Sequence, residues 1–543
     1  MIDDPLRGHW GPVIALALFT LVSLGLGVVA NHVASRESGF LRKYFLGNRS
    51  MGAVAVALTA AVMSGGSFIG FPSLVYSFGW VVGLWIASYM IAPLTILGIL
   101  GKRIGQLSRK TGAITLPDLF RERYSSPTLG LVTSLLVMFF LSVFLIAQFK
   151  GGALIMKIVL PPQTLGWFAS DATRSSHDVG YIVGLALFAT TVVAYTAYGG
   201  FLAAIWTDVF QSLIMAAGVL ILLPLALARS GGLAQATYAG MDQAGAGFAF
   251  GPGAGRDFHP VGLAFSFFVM WAITGMGQPS TMVRLMAFRD SRTLRYSIIY
   301  QTLYNALIYI PLILIFIAAR SILPGLTNPD EVMPRLVVEL ANPYVAGLIL
   351  AAPYGAVMST VSGFLLIVAS GLVRDLYQRF LRPNASEREI ERASYAATVL
   401  VGLVVAFLAL NPPNYLQVII VFASAGMASA FLVPGLMGAF WRRATAAGAL
   451  AAMIAGTGVT LGLYAVGYFG PRALGLAWLL GPNPEIGPRS AFRPYYLLDL
   501  DPCVWGLGIS LIAGVLVSLW TRPPDPRRVS ALFDLEPAVA PTS

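Results

Sequence analysis

Charge is what this 543-residue sequence has least of: Asp, Glu, Lys and Arg make up 11% of it, against roughly 25% in an ordinary soluble domain. With 57% hydrophobic residues, the soluble globular and disordered classes are excluded. Cysteine is almost absent, and Cys503 on its own can neither close an intramolecular disulfide nor build a cysteine-based metal site. Four histidines without clustered spacing leave no signature of a transition-metal centre. No Ser-His-Asp, paired-carboxylate or metal arrangement appears at membrane depth, so the chain reads as no enzyme. The formal net charge of +11 would suit nucleic acid. Its Lys and Arg are scattered over short loops between apolar runs, however, which is the positive-inside pattern, and no nucleic-acid partner follows.

What the sequence does have is about thirteen apolar runs of the roughly 20 residues that cross a ~30 Å hydrocarbon core as helix. They lie near residues 11–32, 50–77, 79–101, 127–158, 179–197, 201–228, 259–284, 296–321, 335–373, 394–410, 415–440, 445–468 and 503–521. This is an all-α polytopic membrane protein whose solvent is the lipid bilayer. The first run follows a polar leader with no small-residue cleavage pattern and reads as a retained helix. An N-terminus outside and a C-terminus inside put most loop Lys and Arg on the inner side of an inner (plasma) membrane. The run 335–373 is too long for one straight crossing. The Pro-rich polar tail, 522–543, reads as disordered.

Spanning backbone must satisfy its own hydrogen bonds, so breaks point to protected cavities. The second run contains Met63-Ser64-Gly65-Gly66-Ser67, poor continuous helix. The seventh contains Thr274-Gly275-Met276-Gly277-Gln278-Pro279, with two glycines and a proline. Set aside the leader and first helix (1–49), and the breaks open two blocks of five, 50–228 and 259–440. They are separated by an outer loop, 229–258, and followed by two further helices within 441–521. That is the layout of an inverted repeat with paired broken helices; small residues that merely let helices pack closely would leave the same trace.

In the ninth run, Ala356, Ser359 and Thr360 stand at i, i+3 and i+4 and share one helical face. Two hydroxyls beside a small residue suit a hard cation, with freed carbonyls supplying the remaining oxygens. Hydroxyls in membrane helices also bond back to their own backbone. Asp208, one turn inside the sixth run, is either functional or a snorkelling interface residue. Lys157 snorkels at the end of the fourth run, whereas Lys150 lies deep enough to need water or a partner.

At these residues the sequence resembles the sodium:solute symporter family. The resemblance runs from Tyr44-Phe45-Leu46-Gly47-Asn48-Arg49-Ser50 through Tyr195-Thr196-Ala197-Tyr198-Gly199-Gly200 and Trp206-Thr207-Asp208-Val209-Phe210-Gln211. It continues to Ala356-Val357-Met358-Ser359-Thr360 and Asp375-Leu376-Tyr377. Phe68-Ile69-Gly70, Ile99-Leu100-Gly101-Lys102, Gln148-Phe149-Lys150-Gly151-Gly152-Ala153 and Pro412-Pro413 look most like pantothenate symporters. Proline symporters come next, sharing 356–360 and a matching Trp271.

The resemblance implies the amino-acid/polyamine/cation superfamily fold, with two inverted five-helix repeats, and sodium-driven import of a small organic solute by alternating access. It implies sodium held by the carbonyls of Ala60, Met63 and Ala356 and the hydroxyls of Ser359 and Thr360. Asp208 matches a residue tied to a second ion or to the sodium exit. The implied solute pocket is lined by Ser64, Ser67, Phe144, Gln148, Trp271, Thr274 and Phe422. Where sugar carriers keep polar side chains this chain has Val62, Gly66 and Ser67, so a sugar is not expected. A half-helix N-terminus at the midplane favours a small carboxylate such as pantothenate, a monocarboxylate or proline. From another class, the alternative is a transporter-like membrane sensor acting with a separate signalling partner.

Overall fold

The computed structural model describes residues 10–34, 52–60, 63–161, 179–251, 260–413, 415–480, 486, 490 and 492–534. The motif 44–50, Val62 and the last nine residues of the tail lie outside the described residues. Among those described the chain is helical and forms no strand.

Among the described residues, eleven helices are long and apolar enough to cross a membrane, or twelve with the pair Val261–Gly277 and Pro279–Ala287, which is bent by 50°, counted as one span. One of the eleven, Gly66–Thr111, has 46 residues, about 69 Å as a straight helix and far more than a bilayer core. It turns back at Gly79, whose φ of +76° only glycine adopts freely. Before that turn, Tyr76 Oη donates to the Leu323 carbonyl on one side of the bundle. After it, Arg103 reaches the Ala439 carbonyl on the opposite side. The expected thirteen spans therefore emerge: this stretch holds the far half of the second span, which begins at Ala53–Ala60, and the whole third.

The helix Val179–Arg229 likewise holds two spans, Val179–Ala197 and Ala204–Arg229. Tyr195 and Thr207 share a hydroxyl hydrogen bond, yet twelve residues of straight helix would part them by about 18 Å.

The two five-span blocks start on opposite faces. The first begins beside the eighth span, where Ser297 Oγ donates to the Ala53 carbonyl. The second begins at the other face, where Ser266 accepts from the Asp501 amide, and descends to Phe288, whose carbonyl accepts from Arg109. The chain thus runs through the blocks in opposite senses. The eleventh span, Leu416–Phe440, is buried along nearly its whole length, so it is the bundle's central post rather than a lipid-facing helix.

Three expectations on layout change. The run 335–373 divides: Val332–Leu340 is a short separate helix, and the ninth span starts at Pro343 with Asn342 capping it, because a capping Asn followed by Pro in the first turn favours a helix start there. The 229–258 loop carries a helix, Leu233–Ala244, and Phe248, which closes over Gly79. The tail expected to be disordered contains a helix, Pro526–Phe533, capped by Asp525. Phe533 lies under the guanidinium groups of Arg103, Arg123 and Arg442, a cation–π contact that composition alone does not reveal.

On the face opposite the tail, Lys150 finds its partner. Its Nζ lies 2.8 Å from Asp330 Oδ2 and donates to the Pro413 carbonyl, and the same carboxylate oxygen accepts the Leu416 amide at 2.8 Å. Lys157 pairs with Glu331, which also holds Arg335. This cluster ties the fourth span to the start of the eleventh.

Candidate functional site

Both expected breaks are real. Ala60 ends the first half of the second span; Met63 and Ser64 are not helical, and the chain resumes as a wide π-helical turn at Gly66–Gly70. Such turns gather at functional sites because they free carbonyls and re-aim side chains. In the seventh span, Thr274–Gly277 tightens to a 3₁₀ turn, Gln278 is extended, and Pro279 opens the next half-helix.

Four of the five expected sodium residues converge. Thr360 Oγ1 donates to the Met63 carbonyl at 3.1 Å and lies 3.0 Å from the Ala356 carbonyl. Ser359 Oγ donates to the same Ala356 carbonyl at 3.1 Å. The Thr360 hydroxyl of the ninth span thus meets a carbonyl released by the break in the second, joining the two blocks through oxygen atoms, while Ser359 bonds back to its own helix. Of the fifth, Ala60, the backbone alone is described; it ends the half-helix that leads to Met63. A cavity of about 350 Å³ adjoins these atoms, lined by Thr59, Met63, Asp208, Arg284, Ser359 and Thr360 among others. Arg284, absent from the expected set, sits 3.5 Å from Asp208.

A second cavity lies between the two breaks. Ser64, Ser67, Phe144, Trp271 and Thr274 line it as expected. Gln148 stands behind it: its Oε1 accepts the Gly65 amide at 2.8 Å, so it holds the broken backbone rather than facing the cavity. Phe422 does not line it. Its ring packs against Phe140, Tyr464 and Phe492, because that face of the eleventh span turns toward the twelfth, and Gln417 and Ile420 of the same helix face the cavity instead.

The sequence reading also missed Tyr89, Gln278, Gln301, Asn305 and Tyr309, all on the wall. A signal existed for three: Gln301, Asn305 and Tyr309 recur every four residues along the apolar eighth span, a polar stripe on one face. Tyr309 Oη is 2.7 Å from Ser67 Oγ, and its ring stacks on Tyr89 with centroids 3.9 Å apart. Tyr89 in turn stacks on Trp271. Buried atoms of Gln278, Gln301, Gln417 and Trp271 have no partner within the protein, as expected of groups that wait for a ligand.

The profile of the sodium:solute symporter family matches residues 44–456. The chain belongs to the sodium:solute symporter family. It is 34% identical over 460 residues to the sodium/pantothenate symporter of Haemophilus influenzae (82% of this chain, 89% of the relative). With the Escherichia coli protein of that name the identity is 34% over 464 residues (84% and 90%). The sodium/proline symporter of H. influenzae is 31% identical over 472 residues (81% and 86%). Among solved structures, a Na+-coupled sialic acid symporter in a substrate-bound outward-open state superposes with a TM-score of 0.66 at 18% identity, covering 95% of this chain and 99% of that one. Mhp1, a nucleobase-cation-symport-1 family transporter, gives 0.51 at 16% identity (91% and 96%). The fold is thus that of sodium symporters with two inverted repeats, and this symporter is a multi-pass membrane protein that couples sodium to the movement of a small solute.

Proposed function

We propose that the symporter imports pantothenate, with sodium bound at Met63, Ala356, Ser359 and Thr360, completed by the Ala60 carbonyl, and the solute in the cavity between the breaks. The observation that carries the solute is the wall itself. Four carboxamides, Gln278, Gln301, Asn305 and Gln417, and two phenols, Tyr89 and Tyr309, face a cavity whose lining has no charged side chain. Such a wall matches a solute rich in hydroxyl and amide groups, because each unpaired buried group costs about 1–3 kcal/mol until a ligand pairs it. Pantothenate has two hydroxyls, an amide and a carboxylate. The positive ends of the half-helices at Gly66 and Pro279 favour its anionic end. Proline offers a ring and a zwitterion, and would leave most of the carboxamides unpaired.

The two sites share Met63, which lines both cavities. Phe144 of the solute cavity also packs edge-on against Phe364 of the ion cavity at 4.9 Å. Occupation of one site therefore stiffens the wall of the other, which is a direct route to coupling. A plasma-membrane location with the tail inside fits the basic cluster of Lys110, Arg442 and Arg528 around the tail helix.

Uptake of labelled pantothenate into proteoliposomes, driven by an inward sodium gradient and challenged with excess proline, tests this reading. Pantothenate should accumulate with sodium and resist proline. Accumulation of proline alone would replace pantothenate as the solute.

Trp271 supports the wall. Its ring is stacked on Tyr89 at 5.4 Å and lies 5.7 Å from Trp85, with its indole nitrogen unpartnered. Trp271→Ala should raise the pantothenate concentration for half-maximal uptake roughly 10–30-fold, as loss of an aromatic anchor costs about 2 kcal/mol. Sodium binding without solute should stay unchanged. Parallel loss of both affinities and of protein yield would make it a packing residue.

A further inference from the structure

We infer that Arg284 is a tethered cation that occupies the Asp208 carboxylate, so that this symporter carries a single sodium ion per cycle. The inference rests on the sodium site proposed above and concerns what lies beside it. Asp208 is 5% exposed in the sixth span, where an uncompensated carboxylate is costly and attracts a cation. It lines the same cavity as Ser359 and Thr360, so by position it is the natural second sodium ligand. Arg284 fills that role instead.

Arg284 stands on the half-helix Pro279–Ala287, past the break in the seventh span. Its Nη2 is 3.5 Å from Asp208 Oδ2, and its side chain is 13% exposed. The same nitrogen would lie 3.5 Å from a Cβ built on Gly363. Gly363 follows Ser359 by four residues, hence on the same helical face. The 3.5 Å separation is ordinary contact distance, so the guanidinium packs against this face directly beyond the hydroxyls.

Among the residues lining the cavity, Asp208 and Arg284 are the charged ones, so the pair is neutral before sodium enters. A second sodium on Asp208 would have to displace a guanidinium that is covalently held nearby and therefore present at very high effective concentration. It would also leave that guanidinium unpaired in the membrane, which is strongly unfavourable. One sodium at Thr360 meets neither cost. The contact is single, since Asp208 Oδ1 has no partner, so a shorter neutral side chain at 284 would leave a carboxylate with free lone pairs beside hydroxyl oxygens.

Equilibrium binding of radioactive sodium to the purified full-length chain in nanodiscs, without solute, tests this. Wild type should bind one ion per chain and Arg284→Gln two. Arg284→Lys, which keeps a tethered charge, should return the count to one, as should Arg284→Gln combined with Asp208→Asn. Two ions in the wild type, or one in a folded Arg284→Gln variant, would overturn the inference while leaving the sodium site standing. No ion in the wild type would remove the sodium site itself and this inference with it. If Arg284→Gln does not fold, the wild-type count decides alone.

Discussion

Leucine at both Gly65 and Gly66 is expected to abolish solute uptake while the protein still inserts into the membrane. A Cβ on Gly66 would stand 2.8 Å from Ile420 Cδ1, and one on Gly65 3.2 Å from Val357 Cγ2 and 3.0 Å from Gln148 Oε1. Overfilling a packed site costs about 1–3 kcal/mol, so two together amount to roughly 2–6 kcal/mol, about a 30-fold loss or more in the transporting state. The same change favours continuous helix over the break and removes the geometry that frees the Met63 carbonyl. Uptake assays on variants matched for membrane yield check this. Wild-type transport by the double variant would mean that the glycines serve packing alone.

Lys150→Met should be the most damaging single change outside the two cavities. Lys150 and Asp330 have side chains 6% and 1% exposed, and removing one member of a buried pair costs about 3–5 kcal/mol because the other charge is stranded. The structure adds a functional consequence. Asp330 also holds the Leu416 amide, and Leu416 precedes Gln417 and Ile420 of the solute wall. Lys150→Met should therefore lower both thermal stability and solute affinity. Lys150→Met combined with Asp330→Leu should recover part of the stability, since a buried ion pair replaced by apolar residues is often neutral but Asp330→Leu also strands the Leu416 amide. Melting temperatures and solute half-saturation for the three variants separate the two effects. A double variant as unstable as the single would show that the pair is more than a satisfied charge.

How far the sequence alone led depended on periodicity. The paired breaks and the face of Ala356, Ser359 and Thr360 were legible because glycine, proline and i, i+3, i+4 spacing act locally. The spans were legible because a bilayer demands length and apolarity. What the sequence hid was rotation and long-range pairing. Phe422 and Gln417 lie on one helix, and only the packing of the twelfth span decides which faces the cavity. Asp330 and Lys150 are far apart in the chain, so a lone lysine in a span announces a need without naming its partner. Arg284 was hidden most fully: at the end of an apolar run it counts as one more basic loop residue under the positive-inside pattern, whereas the bend in the seventh span carries it to Asp208. Gln148 shows the converse, a residue rightly marked as important whose task is to satisfy the Gly65 amide.

The central claim is that hydroxyls of the ninth span and carbonyls at the second-span break hold the coupling sodium. It is tested most directly by the sodium dependence of labelled pantothenate uptake in Ser359→Ala and Thr360→Ala. Each variant loses one oxygen ligand, worth about 1–2 kcal/mol, so the sodium concentration for half-maximal uptake should rise roughly 5–30-fold. Thr360→Ala should show the larger rise, because Thr360 alone reaches the Met63 carbonyl. Unchanged sodium dependence in both variants, with uptake intact, would contradict the account.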